Sequence, residues 1–297
     1  MRKKIVVTGS SGFIGKNLCV NLSEVGYEVL GVDLTKTGDN RFKEIEMDFF
    51  SDEINKFLDE NSILLHLAAI STDSESKKSP LKAININIAG TQKLMEICKD
   101  KKINKFIFAS SEWVYPENSI VIPQFETDIL SANKLNSVYA LTKIMTEDFI
   151  RVNSENLNYT ILRFGIVYGP RKIPGSSLES LALKVWQNQE IEIGSSLTAR
   201  NFIYLEDLIS GIIQSIEFSK SKEIYNLSGD HSINLGNIID ATSDILNLRH
   251  KYVENGQVPS IRNPINTKAR ADFFWEPKTS IEQGIRSCLK LMTGEKF

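Results

Sequence analysis

Cysteine is scarce in this chain. Cys19, Cys98 and Cys288 are three in 297 residues, far apart and with no CxxC among them. An odd count without ligand spacing argues against a disulfide framework and a zinc site, so buried apolar thiols in a reducing compartment and no metal are expected. Long apolar runs are missing too. No window approaches the ~18 consecutive apolar residues that a spanning helix needs, so no membrane is expected as a partner. The start, Met1–Thr8, is basic and then briefly apolar. It lacks the longer stretch and cleavage site of a signal peptide, so a cytoplasmic protein is expected. Charge of one sign is lacking as well: the net charge of −2 offers no basic surface for nucleic acid, which turns attention to small molecules. Histidine is rare, and neither His231 nor His250 has a cysteine or carboxylate at ligand spacing. His66 reads as a polar cap at a strand end. Internal repeats and low-complexity segments are absent.

What is present is alternation. Apolar runs at Lys4–Val7, Tyr27–Val32, Phe42–Met47, Ile63–Ala68, Lys105–Ala109 and Tyr159–Val167 alternate with helical spacing at Gly12–Val25, Pro80–Cys98 and Asn136–Asn153. Short continuous runs between helices indicate βαβ units, and strands buried on both faces need no polar alternation. The fold class expected is α/β, a Rossmann-type doubly wound parallel sheet. The second half is less regular, with strand patterns at Arg200–Leu205 and Ile224–Leu227. Helical patterns lie at Leu178–Gln187, Glu206–Ile216, Leu235–Leu246 and Ser280–Leu291. Residues 1–167 are therefore expected to form the dinucleotide domain, with 200–228 returning to it. Residues 168–199 and 229–297 are expected to form a smaller mixed α/β substrate lobe.

The first strand runs into Thr8-Gly9-Ser10-Ser11-Gly12-Phe13-Ile14-Gly15 and then a helix. Such a turn suits a dinucleotide pyrophosphate. Gly9 permits the tight turn, Gly12 lets the backbone approach phosphate, and Gly15 lets helix and strand pack closely. The helix N-terminus adds N–H donors and the positive end of its dipole. A P-loop does not fit, because Asn17 stands where magnesium needs a hydroxyl and the glycine spacing is wrong. Asp33 ends the second strand. A carboxylate there accepts ribose hydroxyls and repels the extra phosphate of NADP, which favours NAD.

Tyr139 and Lys143 lie four apart on a helical pattern and share a face. A tyrosine serving as base near pH 7 must lose ~3 units from its pKa of ~10, or ~4 kcal/mol. One ammonium at ~4 Å in an effective dielectric of ~20 supplies about that much. Ser111, just past the fifth strand, is placed to hydrogen-bond the same sugar hydroxyl.

With these residues in place, the chain resembles the extended short-chain dehydrogenase/reductase family, in particular its sugar-nucleotide epimerase/dehydratase group, over nearly its whole length. The resemblance rests on Thr8–Gly15, Asp33, Met47-Asp48, His66–Ala69, Asn87–Thr91, Ser110-Ser111, Val114-Tyr115, and Tyr139 with Lys143. It continues through Leu162-Arg163, Val167–Pro170, Arg200–Tyr204 and Trp275–Pro277. It implies Tyr139 as acid/base, Lys143 as its helper and Ser111 as the third polar group. NAD is implied as cofactor, held by Gly9, Gly12, Phe13, Ile14 and Gly15, with Asp33, Asp48 and Phe49 toward the adenosine. Leu67, Ala68, Ala69, Tyr139 and Lys143 would lie along the cofactor, and Asn87 would order the region. Arg200, with Arg262 as a second clamp, would hold a substrate diphosphate, a task suited to a bidentate guanidinium. A homodimer through the helices near 80–98 and 136–153 is also implied.

Three positions depart from the family pattern. Trp113 stands where 4,6-dehydratases carry an acid, with Glu112 one step earlier as a candidate substrate contact. Ile166 replaces an asparagine of many relatives, and Asn201 replaces the aspartate after Arg200. Elimination needs a positioned acid. The leading expectation is therefore an NAD-dependent nucleotide-sugar 4-epimerase, working through transient oxidation at C4 to a 4-keto sugar. A 4-keto reductase or 4,6-dehydratase is the alternative within the fold. A non-catalytic dinucleotide-sensing scaffold is the alternative of another class, since fold does not dictate function.

Overall fold

The computed structural model describes residues 3–295, so the first two residues of the basic start lie outside the described part. The chain packs as two units. The first comprises residues 1–114, 129–163 and 212–225, and the second comprises 115–128, 164–211 and 226–297.

The first unit is built on seven parallel strands: β1 (Lys4–Thr8), β2 (Glu28–Asp33), β3 (Lys43–Glu46), β4 (Ser62–His66), β5 (Lys105–Ser111), β6 (Tyr159–Phe164) and β7 (Glu223–Leu227). Their order across the sheet is β7-β6-β5-β4-β1-β2-β3. The chain steps one way from β1 to β3 and the other way from β4 onward. The reversal lies between β1 and β4, and such switch points open a crevice at the carboxyl ends of the strands. Register makes this edge flush, because Thr8 pairs with Val32 on one side and His66 on the other. Gly9 and Leu67 therefore leave the sheet together, beside Asp33 at the end of β2. Between sheet and helices lies an apolar core that includes Val6, Val32, Leu64, Leu94, Phe106, Phe108, Ile150 and Ile161.

The helices of this unit include α1 (Phe13–Glu24), α2 (Asp73–Lys78), α3 (Pro80–Ile84), α4 (Thr91–Asp100) and α5 (Val138–Asn153). Pro80 opens α3 as a first-turn proline should. The single helix expected over Pro80–Cys98 is interrupted by a π-helical turn, Asn85–Gly90. Such wider turns are frequent at functional sites. Ser137 caps α5 by accepting from the Ala140 N–H at 3.1 Å, and it donates to Asp73 at 2.6 Å. This seats the helix that carries Tyr139 and Lys143.

In the second unit, strand Ile166–Tyr168 runs parallel to Phe202–Tyr204, and Ile191–Ile193 runs parallel to Tyr252–Glu254. Ala199–Arg200 is antiparallel to Ile233–Asn234. Helices Ser177–Trp186, Leu235–Ile245 and Ile281–Thr293 close around Leu178, Val185, Ile238, Ile285 and Leu289. The expected division placed residues 115–128, 164–167, 200–211 and 226–228 with the dinucleotide domain, but they group with this unit. Backbone pairing accounts for the first: Asn118 and Ile261 exchange both bonds, and Gln124 bonds Asn263 and Ile265. The strand expected over Tyr159–Val167 breaks at Gly165, where a Cβ would sit 2.4 Å from the Asn201 carbonyl oxygen.

Candidate active site

The glycine turn has the shape its sequence requires. Gly9 has φ +76°, and a Cβ there would meet the Ala68 nitrogen at 2.7 Å. A Cβ on Gly15 would overlap the Gly9 carbonyl oxygen at 2.0 Å. A side chain at Gly9 would collide with the Leu67–Ala68 backbone, and one at Gly15 would push the helix away from the strand end. The first bond of α1 runs from the Lys16 N–H to the Gly12 carbonyl at 2.9 Å, and Gly12 offers no side-chain cap. The opening turn thus presents its end to an anion. Asp33 is oriented by two backbone donors, Ser11 N–H at 2.8 Å and Leu34 N–H at 2.7 Å. Asp48 is exposed and accepts from the Phe50 N–H at 2.9 Å, and the Phe49 ring packs 4.9 Å from the His66 ring. Turn, carboxylate and the half-buried Leu67, Ala68 and Ala69 share one sheet edge, and these residues fit a dinucleotide.

At the end of β5, Ser111 lies near enough to the Tyr139 phenol to favour its ionised form, and it accepts from the Trp113 N–H at 3.2 Å. The Trp113 ring meets the Tyr139 ring edge-on, with centroids 6.1 Å apart. One turn along α5, Lys143 donates to the Ala109 carbonyl at 2.7 Å, and its Nζ stands over the Phe108 ring at 4.6 Å. Glu112 follows Ser111 and is fully buried.

The electrostatics differ from the charge-only arithmetic. Burial pushes the Tyr139 phenol up to about 12, and Ser111 opposes this only in part. Burial also lowers Lys143 to about 7, against the pull of Glu147. The reason is geometric: both groups lie in a low-dielectric setting, and the ammonium is directed at a carbonyl, 5.8 Å from the centre of the Tyr139 ring. Oxidised nicotinamide brings a positive charge, which acts in the opposite direction on the phenol.

Behind this site runs a network that the sequence reading had reduced to a strand-end cap and one ordering asparagine. Thr91 Oγ1 donates to the Asn87 carbonyl at 2.7 Å, so its one hydrogen is used. His66 Nε2, 2.9 Å away, must therefore be the donor to Thr91. His66 Nδ1 is then an acceptor, taking the Thr8 hydroxyl at 2.7 Å, while Thr8 accepts from the Ala68 N–H at 3.4 Å. Burial, with the Lys143 charge, depresses His66 to about 3, which keeps it neutral. Asn87 pairs both ways with the Ile70 backbone, at 2.8 and 3.0 Å, and donates to Thr142 at 3.0 Å. Thr142 donates to the Tyr139 carbonyl at 2.8 Å. Helix α5 is thereby tied to the Leu67–Ile70 edge. Four-residue spacing from Asn87 to Thr91 was the available signal, but nothing in it shows that His66 lies between Thr8 and Thr91. A second buried cluster lies along α5, where Glu147 receives Arg163 Nη2 at 2.7 Å and Ser110 Oγ.

In the second unit, Arg200 and Arg262 meet at Glu117, each with Nη2 3.0 Å from Glu117 Oε1. Arg200 also donates to the Ala199 carbonyl at 2.8 Å and to the Ser260 hydroxyl at 2.9 Å. Arg262 Nε donates to the Tyr115 carbonyl at 3.1 Å. Asn201 is buried and donates to the Pro264 carbonyl at 3.1 Å, a structural use of the side chain next to Arg200. Ile166 packs against the apolar core of this unit. Among the described residues, no group of three or more His, Cys, Asp or Glu side chains is arranged to hold a metal ion.

A doubly wound parallel sheet with a glycine turn after its first strand and a carboxylate closing its second defines a dinucleotide-binding protein. Residues 5–228 match the NAD dependent epimerase/dehydratase family, and the chain belongs to that family of NAD-dependent enzymes. It is 29% identical to a UDP-glucuronate 4-epimerase of Thermodesulfobacterium geofontis, over 95% of this chain and 93% of the relative. Among solved structures it resembles the UDP-glucose 4-epimerase of Thermotoga maritima with UDP-glucose, with TM-score 0.85, 26% identity and coverage of 98% and 99%. It also resembles a mutant UDP-glucuronic acid 4-epimerase from Bacillus cereus in complex with UDP-4-deoxy-4-fluoro-glucuronic acid and NAD. There the TM-score is 0.85 and the identity 28%, with coverage of 98% of this chain and 99% of that one.

Proposed function

We propose that this chain is an NAD-dependent epimerase that inverts C4 of a UDP-linked sugar. The observation that carries the reading is the constellation of a Tyr139 phenol beside Ser111, with Lys143 one turn away, in the unit that holds the glycine turn. The 4-epimerases among its relatives supply the substrate class. Bound NAD supplies an oxidant that the cycle regenerates. Gly9, Gly12, Phe13, Ile14 and Gly15 hold its pyrophosphate, Asp33 and Asp48 its adenosine, and Leu67, Ala68, Ala69 and Lys143 its nicotinamide half. Tyr139 takes the proton of the C4 hydroxyl as that carbon is oxidised. The 4-keto sugar turns its other face, and Tyr139 returns the proton to the same oxygen. Ser111 holds that oxygen in line with the phenol, and Asn87 keeps the segment beside it in place. Arg200 and Arg262 bind the diphosphate.

A second reading, the 4,6-dehydratase, is favoured by one feature, the fully buried Glu112 beside Ser111. One experiment separates the two. The purified protein, with no dinucleotide added, is given UDP-glucose and UDP-glucuronic acid, and C4 is followed by NMR with mass analysis of products. Inversion at C4 with unchanged mass is expected. Loss of one water points to the dehydratase, and turnover only with added NADH and a keto sugar points to a reductase.

We further assign the working form to a homodimer. On α5, Met145, Phe149 and Val152 form an exposed apolar stripe, and Leu81 and Ile84 lie exposed on α3, which packs beside it. That face suits a four-helix contact with a second copy. The three cysteines are buried free thiols and support a cytoplasmic setting. No helix among the described residues is long and apolar enough to cross a membrane.

A further inference from the structure

Three segments of the second unit are laced together by backbone bonds. Asn118 and Ile261 exchange bonds at 3.0 and 2.9 Å, Ala199 N–H bonds Ser260 at 3.1 Å, and Arg262 N–H bonds Ala199 at 3.3 Å. This lacing brings Glu117, Arg200 and Arg262 to one point. Both guanidiniums are also held by main-chain carbonyls, so neither is free to swing away. The arginine side chains are 15% and 6% exposed, whereas Glu117 is 44% exposed. The cations are fixed, Arg262 buried and Arg200 largely so, and the anion between them stands half in water.

We infer that Glu117 is an internal stand-in for the substrate's diphosphate, and that the nucleotide sugar enters by displacing this carboxylate from the Arg200–Arg262 pair. The inference rests on the reading of these arginines as diphosphate ligands. Charge supports an exchange. One carboxylate against two guanidiniums leaves an excess of one positive charge, and a diphosphate carrying two negative charges removes it. Releasing Glu117 is cheap, because it is already partly hydrated and turns into solvent by side-chain rotation alone. Holding it in the empty protein keeps the two guanidiniums paired until a ligand takes its place. Glu117 thereby sets a threshold. A singly charged anion gains little over the carboxylate it displaces, and a diphosphate gains one further charge.

The test is calorimetric titration of the NAD-loaded protein with inorganic pyrophosphate, UDP, inorganic phosphate and uridine. In Glu117→Gln, pyrophosphate and UDP are expected to bind about fivefold more tightly, as removal of a competing half-exposed ion pair implies. Uridine binding is expected to be unchanged, and phosphate is expected to tighten by a factor similar to that of pyrophosphate. Equal or weaker pyrophosphate binding in Glu117→Gln, reproduced in Glu117→Ala, overturns the inference and makes Glu117 a bracket for the arginines. Arg200→Ala and Arg262→Ala form the control on the underlying reading. If UDP binds both as well as it binds the unaltered protein, the arginines are not diphosphate ligands, whatever Glu117 does.

Discussion

Two arginine–glutamate clusters in this molecule use the same chemistry in opposite settings. In the first unit, Arg163 and Glu147 are 3% and 5% exposed, and the pair is further closed by Ser110. In the second unit, Arg200 and Arg262 share the half-exposed Glu117. The first cluster is a permanent part of the wall behind α5. Removing one partner strands a charge in a low-dielectric interior, where nothing can replace it. The second presents an anion that water or a ligand can replace. Burial, rather than distance, separates a structural ion pair from one that can be exchanged. The same contrast holds for the neutral groups: His66, Asn87, Thr91 and Thr142 bond one another and the backbone around the Tyr139 helix.

The largest effect that sharpens this contrast is chemical. Tyr139→Phe removes a proton-transfer group, and turnover is expected to fall by about 10²- to 10⁴-fold. Bound NAD, measured after denaturation, is expected to stay near the wild-type level. Turnover within a few-fold of wild type would detach the chemistry from this helix.

Next comes stability. Arg163→Met leaves Glu147 buried without its cation and is expected to cost about 3–5 kcal/mol in denaturant unfolding. Glu117→Gln is expected to cost about 1 kcal/mol, because the ion pair it breaks is half exposed. Similar losses in the two variants would erase the distinction drawn between the clusters.

His66→Leu is expected to cost about 1–3 kcal/mol, by leaving Thr8 and Thr91 without their shared partner. The histidine also gives a pH signature. Its folded pKa of about 3 lies below the ordinary 6.5, so the unfolded chain takes up a proton first as pH falls. The stability associated with the neutral ring is complete above about 6.5. It is lost toward pH 3 at about 1.4 kcal/mol per unit. A flatter acid limb in His66→Gln is expected, and identical limbs would place the protonation elsewhere.

The sheet was legible because parallel strands are buried on both faces, so runs such as Lys4–Val7 and Ile63–Ala68 stand out without alternation. The glycine turn and Asp33 were legible because backbone shape and charge constrain residue type there. Interruptions were not. The π turn at Asn85–Gly90 keeps the helical spacing of apolar residues, and the break at Gly165 depends on a carbonyl from Asn201. Arg200–Leu205 read as one strand but divides between two pairings, Ala199–Arg200 with Ile233–Asn234 and Phe202–Tyr204 with Ile166–Tyr168. The sign of the Tyr139 shift was missed because sequence spacing gives a neighbour's charge but not the depth of burial. Glu117 was passed over because its partners lie 83 residues or more along the chain.

The most direct measurement uses a UDP-sugar carrying deuterium on C4, turned over in ordinary water. Transient oxidation at C4 with return of the same hydrogen predicts an epimer that keeps its deuterium and takes none of the solvent's protons at that carbon. Washout of the label into water during inversion would contradict the account.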